Sequence, residues 1–382
     1  MGMNVKLAPS RRLAGISAIG ALALTLAACG GSTPEGDATT GGDTTSGAEG
    51  TELSGSIAGS GASSQENAVN GWLAGFTEAN PGVDASYDPT GSGTGREQFL
   101  NGTVLFAGSD AAMDSEELAA GVERCFGGEV IELPLYISPI AVIYNLPGVD
   151  AEHVNMTQQA IAGIFAGEIT NWNDAAIAES NPDVELPDLP IIPVNRSDDS
   201  GTTENFTEYL SAVAPDVWTH EAAGTWPIEG TQSGAQTSGV LEVINGAEGT
   251  IGYADASRAG ELGTVAVGVG EEFVPFSPEA AAQIIDVSPA AADATDLRLT
   301  IDLARDATES GTYPIVLVSY SIACSVYETE EDAANVAAYL SYVASPEAQD
   351  RAAQPDVAGS APISDDLRTR VQAALDQITV AG

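Results

Sequence analysis

Strand-like segments alternate with helix-like ones along this chain, and glycine- or serine-rich turns join them. This alternation constrains the fold most, because it calls for an α/β layering with helices packed against a sheet. Leu53 to Gly59 reads as a strand, and the turn through Ser60-Gly61-Ala62-Ser63-Ser64 enters a helix with Val69, Trp72, Leu73 and Phe76 on one face. Asn80-Pro81-Gly82 ends that helix. Val83, Ala85 and Tyr87 alternate as the next strand, followed by Gly91 to Gly95 and a short helix from Arg96 to Leu100. Phe106 to Asp110 is a third strand-to-turn, with a helix expected near Ser115 to Ala120.

Further on, Val130 to Leu146 reads as two strand-like runs around Ser138-Pro139. Ile161, Ile164 and Phe165 mark a helix for Thr157 to cap, and Ser277-Pro278-Glu279 has the form of an N-cap with proline in the first turn. Strands are expected at Leu189 to Asn195, Thr250 to Tyr253, Val265 to Val269 and Tyr313 to Ala323. Val240, Leu241 and Ile244 mark another helix, and two more close the chain near Glu330 to Val343 and Asp365 to Ile378. No internal repeat is present.

The chemistry concentrates at Arg196 to Thr203, which reads R-S-D-D-S-G-T-T. Phe206, Tyr209, Leu210 and Val213 follow at i, i+3, i+4 and i+7, so a helix begins near Ser200 or Thr202. A Ser-Gly-Thr opening leaves unpaired backbone N–H groups beside two hydroxyls, and the helix dipole adds partial positive charge there. Arg196 supplies the formal charge, which makes a site for a small anion.

Three other turns share this address at strand ends: Gly61 to Ser64, Gly91 to Gly95, and Ser109-Asp110. Each alone has an ordinary explanation. Gly91 to Gly95 could be only a tight turn, Ser63 and Ser64 simple caps, and Asp110 the cap of the helix after it. G-S-G-T-G lacks the final glycine of a dinucleotide fingerprint, and no P-loop lysine exists, since Lys6 is the last lysine of the chain.

The start of the chain reads as a processing signal. Lys6, Arg11 and Arg12 precede an apolar run from Leu13 to Ala28, ending in Leu26-Ala27-Ala28-Cys29, which is similar to a bacterial lipobox. Residues 1–28 are then a lipoprotein signal peptide with Cys29 the lipidated residue; the alternative is an ordinary secretory signal with a chance cysteine. Residues 29–52, rich in Gly, Ser and Thr, read as a flexible tether. The expected location is extracytoplasmic, anchored to the outer face of the cytoplasmic membrane. Setting Cys29 aside leaves Cys125 and Cys324, an even pair in an oxidising compartment and so a candidate disulfide; two buried free thiols are the alternative. The formal charge of −43 argues against nucleic acid as a partner and against charge-driven binding to an anionic membrane.

The chain resembles the phosphate-binding proteins of bacterial phosphate-specific ABC transporters, in the lipid-anchored actinobacterial style. The matching runs are G-S-G-A-S-S-Q-E-N-A (Gly59 to Ala68), Y-D-P-T-G-S-G-T-G (Tyr87 to Gly95), F-A-G-S-D (Phe106 to Asp110) and R-S-D-D-S-G-T-T. Further echoes are Gly167 to Asp174, Asn245 to Tyr253 and Tyr313 to Tyr320. The resemblance implies a two-lobed periplasmic-binding-protein fold of type II, with the ligand cleft between lobes. Lobe one would hold 53–135 and 306–382, and lobe two 136–305. It places phosphate ligands at Ser63, Ser64, Ser92, Asp110, Arg196, Ser200, Gly201 and Thr202, with Asp198 orienting the arginine. Ser63 stands where some members have threonine, and Ser64 where some have phenylalanine. The implied partners are inorganic phosphate, the membrane permease subunits of an ABC importer, and the membrane itself through Cys29.

The residues also support a selectivity argument. An ionised Asp110 can only accept hydrogen bonds, so it calls for an oxyanion that still carries a proton. Sulfate has none and would face an unpaired carboxylate. Rival readings are another oxyanion (sulfate, molybdate or a phosphonate), a phosphoesterase with Ser200 or Ser92 as nucleophile, and an adhesive or sensory surface protein. The enzyme reading is weak: only His153 and His220 are available as bases, neither in a suggestive motif, and no metal or cofactor is expected.

Overall fold

Among residues 53–382, which the computed structural model describes, the chain opens with three strand–turn–helix units. The signal peptide expected at 1–28, Cys29 and the tether expected at 29–52 lie outside the described residues. β1 (Gly55–Gly61) leads into α1 (Glu66–Ala79), β2 (Val83–Asp88) into α2 (Ser92–Leu100), and β3 (Phe106–Ser109) into α3 (Ser115–Arg124). β1 pairs in parallel with both β2 and β3, so the three following turns open at the same end of the sheet. Trp72 and Phe76 are buried on α1, and the helix ends where Asn80 N–H bonds to Phe76 O.

One helix start and one cap differ from the sequence reading. α2 begins at Ser92 rather than Arg96, because Gly91, at φ 100°, turns the chain so that the glycine-rich run becomes the first turn of the helix. α3 is capped by Asp114, which accepts from Glu116 and Glu117 N–H while the Glu117 carboxylate accepts from Asp114 N–H. Asp110 is therefore not the cap of that helix.

β4 (Val130–Asn145) is one strand of 16 residues, not two runs. Its residues 130–139 pair with β11 (Val316–Cys324), and 140–145 pair with β8 (Thr250–Asp255). Pro139, which has no N–H to give, falls where one neighbour ends and the other begins. The middle of the chain then supplies β5 (Val154–Met156), α4 (Gln158–Phe165), α5 (Ala175–Ala178), β6 (Ile192–Arg196), α6 (Gly201–Val213), β7 (Gln232–Gly234), α7 (Gln236–Gly246), β8 (Thr250–Asp255), β9 (Gly263–Val269), β10 (Glu272–Val274) and α8 (Pro278–Val287). Thr157 and Ser277 cap α4 and α8 as their spacing predicts. The chain closes with β11 (Val316–Cys324), β12 (Val326–Tyr327), α9 (Glu330–Val343), α10 (Pro346–Ala352), α11 (Asp365–Leu375) and β13 (Thr379–Val380).

The main sheet runs β2-β1-β3-β11-β4-β8-β6-β7. β4 and β11 are antiparallel and buried along almost all of their length, and β4 is the member common to both halves of the sheet. Cys125, at the end of α3, is disulfide-bonded to Cys324, at the end of β11, with Cα atoms 5.1 Å apart and a sequence separation of 199. Closing so long a loop restricts the unfolded chain strongly. Replacing both cysteines by serine should lower unfolding free energy by about 2–5 kcal/mol. Urea unfolding of the oxidised protein against the double variant checks this; equal midpoints would contradict it.

Candidate functional site

The turns singled out in the sequence converge. β1, β2 and β3 deliver Ser63-Ser64, Ser92 and Asp110 from one half of the sheet, and β6 delivers Arg196 to Thr202 from the other. α6 is seated by Phe206, which stacks on Tyr253 of β8 with centroids 4.3 Å apart, and by Thr203 Oγ1, 2.8 Å from the Tyr253 hydroxyl. Ser200 caps the helix through Thr203 N–H at 3.2 Å.

Asp110 joins the turns. Ser64 Oγ donates to its Oδ1 at 2.7 Å and Thr202 Oγ1 to its Oδ2 at 2.8 Å, while Asp110 N–H donates to Ser92 Oγ at 3.2 Å. Gly201 lies so close that a Cβ there would sit 2.8 Å from both Asp110 Cβ and Ser92 Oγ. Burial pushes the Asp110 carboxyl above the usual carboxylate range, and the hydrogen bonds from Ser64 and Thr202 oppose that shift. Each carboxylate oxygen accepts one hydroxyl here and retains capacity for another donor.

Arg196 is 3% exposed and is held by Asp198 through two parallel bonds, Nε to Oδ1 at 2.9 Å and Nη2 to Oδ2 at 2.5 Å. Burial pushes Asp198 up, but the Arg196 hydrogen bonds and charge, with Gln236 N–H, outweigh this and hold it below the usual range. The fork fixes the guanidinium plane, and Nη1 has no hydrogen-bond partner among the described residues. Gly91 permits this packing: a Cβ there would lie 2.7 Å from Asp198 Oδ2.

Helix starts differ in how they are capped. α3, α4, α5, α6, α8, α9, α10 and α11 each start with a side-chain cap. α1, α2 and α7 have none. α1 and α2 start beside Ser64 and Ser92, and their first N–H groups stay free of side-chain oxygens at the place where an anion would accept them, whereas the first N–H groups of α7 are taken by Asp198 Oδ1 and Ser63 Oγ.

Sequence reasoning missed the start of α7. Thr237 N–H donates to Ser63 Oγ at 3.1 Å, and the two hydroxyls are 3.0 Å apart, so Ser63 also links the two halves of the sheet. Gln236, at φ 59°, turns its N–H onto Asp198. The missed signal was Q-T-S-G at residues 236–239, a polar, small-residue helix start like those at the other turns. Asn205, Arg305 and Ser319 were also missed. Ser319 lies beside Asp110, one step past the Tyr320–Ser109 pair on β11 and β3. The two histidines stand elsewhere: His153 Nδ1 is 2.6 Å from Thr264 Oγ1, and the His220 ring packs against Trp218. Among the described residues no group of three or more His, Cys, Asp or Glu could hold a metal ion, and no helix is long and apolar enough to cross a membrane.

A mixed α/β fold of two lobes, with helix starts, hydroxyls and a braced arginine converging at strand ends, defines a solute-binding protein of the PBP superfamily; the model of the PBP superfamily domain matches residues 38–347. Within that superfamily the chain belongs to the phosphate-binding proteins. It is 31% identical over 377 residues to the phosphate-binding protein PstS2 of Mycobacterium bovis, covering 97% of this chain and 99% of that one. It is 32% identical over 374 residues to the phosphate-binding protein PstS 3 of Mycobacterium tuberculosis, covering 96% and 98%. The phosphate-binding protein of Stenotrophomonas maltophilia shares the fold at a TM-score of 0.67 with 20% identity, over 84% of this chain and 94% of that one.

Arg196→Ala should cost anion binding about 3–5 kcal/mol, because the anion then meets a desolvated site with Asp198 uncompensated. Arg196→Lys should also bind poorly, since an ammonium cannot reproduce the two-pronged contact with Asp198. Calorimetric titration checks both; Arg196→Ala binding within tenfold of wild type would contradict the assignment. A second expectation concerns pH. Burial, with repulsion from Glu208, pushes Glu204 on α6 up to about 7. Its folded pKa lies above its unfolded value, so it costs nothing below about 4.3 and opposes folding increasingly as pH rises toward 7. Glu204→Gln should therefore stabilise the protein at pH 8 and have little effect at pH 4, as read by urea unfolding at the two pH values.

Proposed function

We propose that this protein binds inorganic phosphate outside the cytoplasm and delivers it to the permease of an ABC importer. The observation that carries the reading is the buried Asp110 carboxylate, bonded to Ser64 and Thr202 and set against Arg196 and the uncapped starts of α1 and α2. Phosphate near neutral pH offers acceptor oxygens to the N–H groups, hydroxyls and guanidinium, and a P–O–H to the carboxylate. Sulfate offers only acceptors, so Asp110 discriminates against it by leaving a buried repulsion unrelieved. Because Asp198 partly cancels Arg196, attraction comes chiefly from short directed dipoles. This is how so acidic a chain can hold an anion.

The proposed ligand set is Ser63, Ser64, Ser92, Asp110, Arg196, Ser200, Gly201 and Thr202, with Asp198 orienting the arginine. The proposed lobes are 53–135 with 306–382, and 136–305; the exchange of partners by β4 at residues 139–140 supports a chain crossing close to that boundary. Lipidation at Cys29 after removal of residues 1–28, with 29–52 as tether, would hold the protein at the outer face of the membrane. We read it as a binding protein without turnover: His153 and His220 are engaged away from Ser92 and Ser200, which supports that reading.

The test is titration of ligand-stripped protein with phosphate, arsenate and sulfate, on wild type and Asp110→Asn. Wild type should take phosphate and arsenate and reject sulfate. In Asp110→Asn the amide can donate to a fully ionised oxyanion, so the phosphate-to-sulfate ratio should fall even where phosphate affinity changes little. Asp114, not Asp110, caps α3, so loss of a helix cap cannot account for a change. An unchanged ratio would remove Asp110 from the selectivity mechanism.

A further inference from the structure

Asn205 lies one turn into α6 and is 4% exposed. Its side-chain nitrogen donates to two main-chain carbonyls at once, Asp110 O at 2.7 Å and Gly201 O at 2.8 Å. These carbonyls belong to opposite walls of the site: Asp110 follows β3, and Gly201 begins α6. The orientation of the amide is set from behind. Asn205 Oδ1 accepts from Arg305 Nη2, and a guanidinium has only donors, so the amide nitrogen must face the carbonyls. Arg305 is itself buried and fixed, donating to Val316 O of β11 at 2.5 Å and to Glu208 Oε2 of α6 at 2.8 Å.

We propose that Asn205, oriented by Arg305, is a positioning residue for the anion: it sets the separation between the Asp110 carboxylate and the N–H groups that open α6. The proposal rests on the phosphate-binding reading. Its basis is that two walls must meet one small ligand, and directed hydrogen bonds lose strength steeply when donors are misplaced. The hydroxyl links from Ser64 and Thr202 to Asp110 use carboxylate oxygens and hydroxyls that a bound oxyanion needs. The Asn205 link uses only main-chain carbonyls, so it persists while the site is filled and favours the closed arrangement without competing with ligand. An uncharged amide suits the place, because a charged donor beside Asp110 would alter the carboxylate on which selectivity depends.

The experiment measures phosphate affinity, phosphate dissociation rate, phosphate-to-sulfate ratio and ligand-free melting temperature for wild type, Asn205→Ala and Asn205→Asp. Asn205→Ala should bind phosphate about tenfold more weakly, the change expected for one lost tie of this kind. Most of that change should appear as faster dissociation. The phosphate-to-sulfate ratio should stay within twofold, because both anions need the same spacing; this separates Asn205 from Asp110. Asn205→Asp keeps the size and the acceptor for Arg305 but loses the donor, so it should bind no better than Asn205→Ala. Either variant binding phosphate within twofold of wild type overturns the proposal. So does a lower ligand-free melting temperature with unchanged phosphate affinity, which would make Asn205 only a brace for α6. Wild type that takes no phosphate would overturn the functional reading itself, and this proposal with it.

Discussion

A buried carboxylate with few cations nearby is costly unless its hydrogen bonds are satisfied, and Asp110 is such a group at the centre of the molecule. Its two oxygens accept from hydroxyls on different turns, and its main chain bonds to Ser92 and Asn205. Those bonds draw β1, β2 and β3 on one side and α6 on the other to a single point. The architecture follows from meeting that demand. Parallel strands aim their turns the same way, and β4 passes from β11 to β8 so that the second group of turns faces the first.

The charge balance has the same logic. The chain has 55 acidic residues against 12 Lys and Arg, yet several arginines are deeply placed and each is held by a carboxylate. Arg96 pairs with Glu117, Arg196 with Asp198, Arg298 with Glu132, and Arg305 with Glu208. These pairs organise turns and loops and leave no basic surface patch built from them. On the proposed reading, anion recognition depends on geometry: N–H groups at the uncapped starts of α1 and α2, hydroxyls, and one guanidinium whose plane is fixed. Local dipoles act over a few ångströms, and the many outer carboxylates act at distances that salt screens.

The legible and illegible parts of the site divide by sequence distance. Ser200, Gly201 and Thr202 could be read because a helix start declares itself within a few residues, through the cap and the i, i+3, i+4 pattern after it. Arg196 and Asp198 are close enough in sequence to be paired on paper. Grouping Ser64, Asp110 and Thr202 in one site rested on family resemblance, and the bonds of Ser64 and Thr202 to the Asp110 carboxylate, across 46 and 92 residues, were not foreseen. Asn205, Arg305 and the α7 start at Thr237 escaped entirely. An asparagine on a helix, an arginine in a loop and a threonine after a glutamine carry no local mark of the role that distant contacts assign to them.

The amino-acid sequence by itself determined the α/β alternation, the helix starts at Thr157, Ser200 and Ser277, and the even pair of cysteines, because each follows from periodicity, capping chemistry or counting within short windows. It misjudged the Gly91 to Gly95 run and the Val130 to Asn145 strand. Whether glycines form a loop or a first helical turn, and whether a proline breaks a strand, depends on what lies alongside. Only the tertiary structure decided that Asp114 rather than Asp110 caps α3, that Cys125 meets Cys324, and that four turns meet at one residue, Asp110. The physical reason is the range of the forces involved. Backbone sterics and caps act between neighbours along the chain, whereas burial, shared hydrogen bonds and disulfide geometry depend on neighbours in space, which the fold alone supplies.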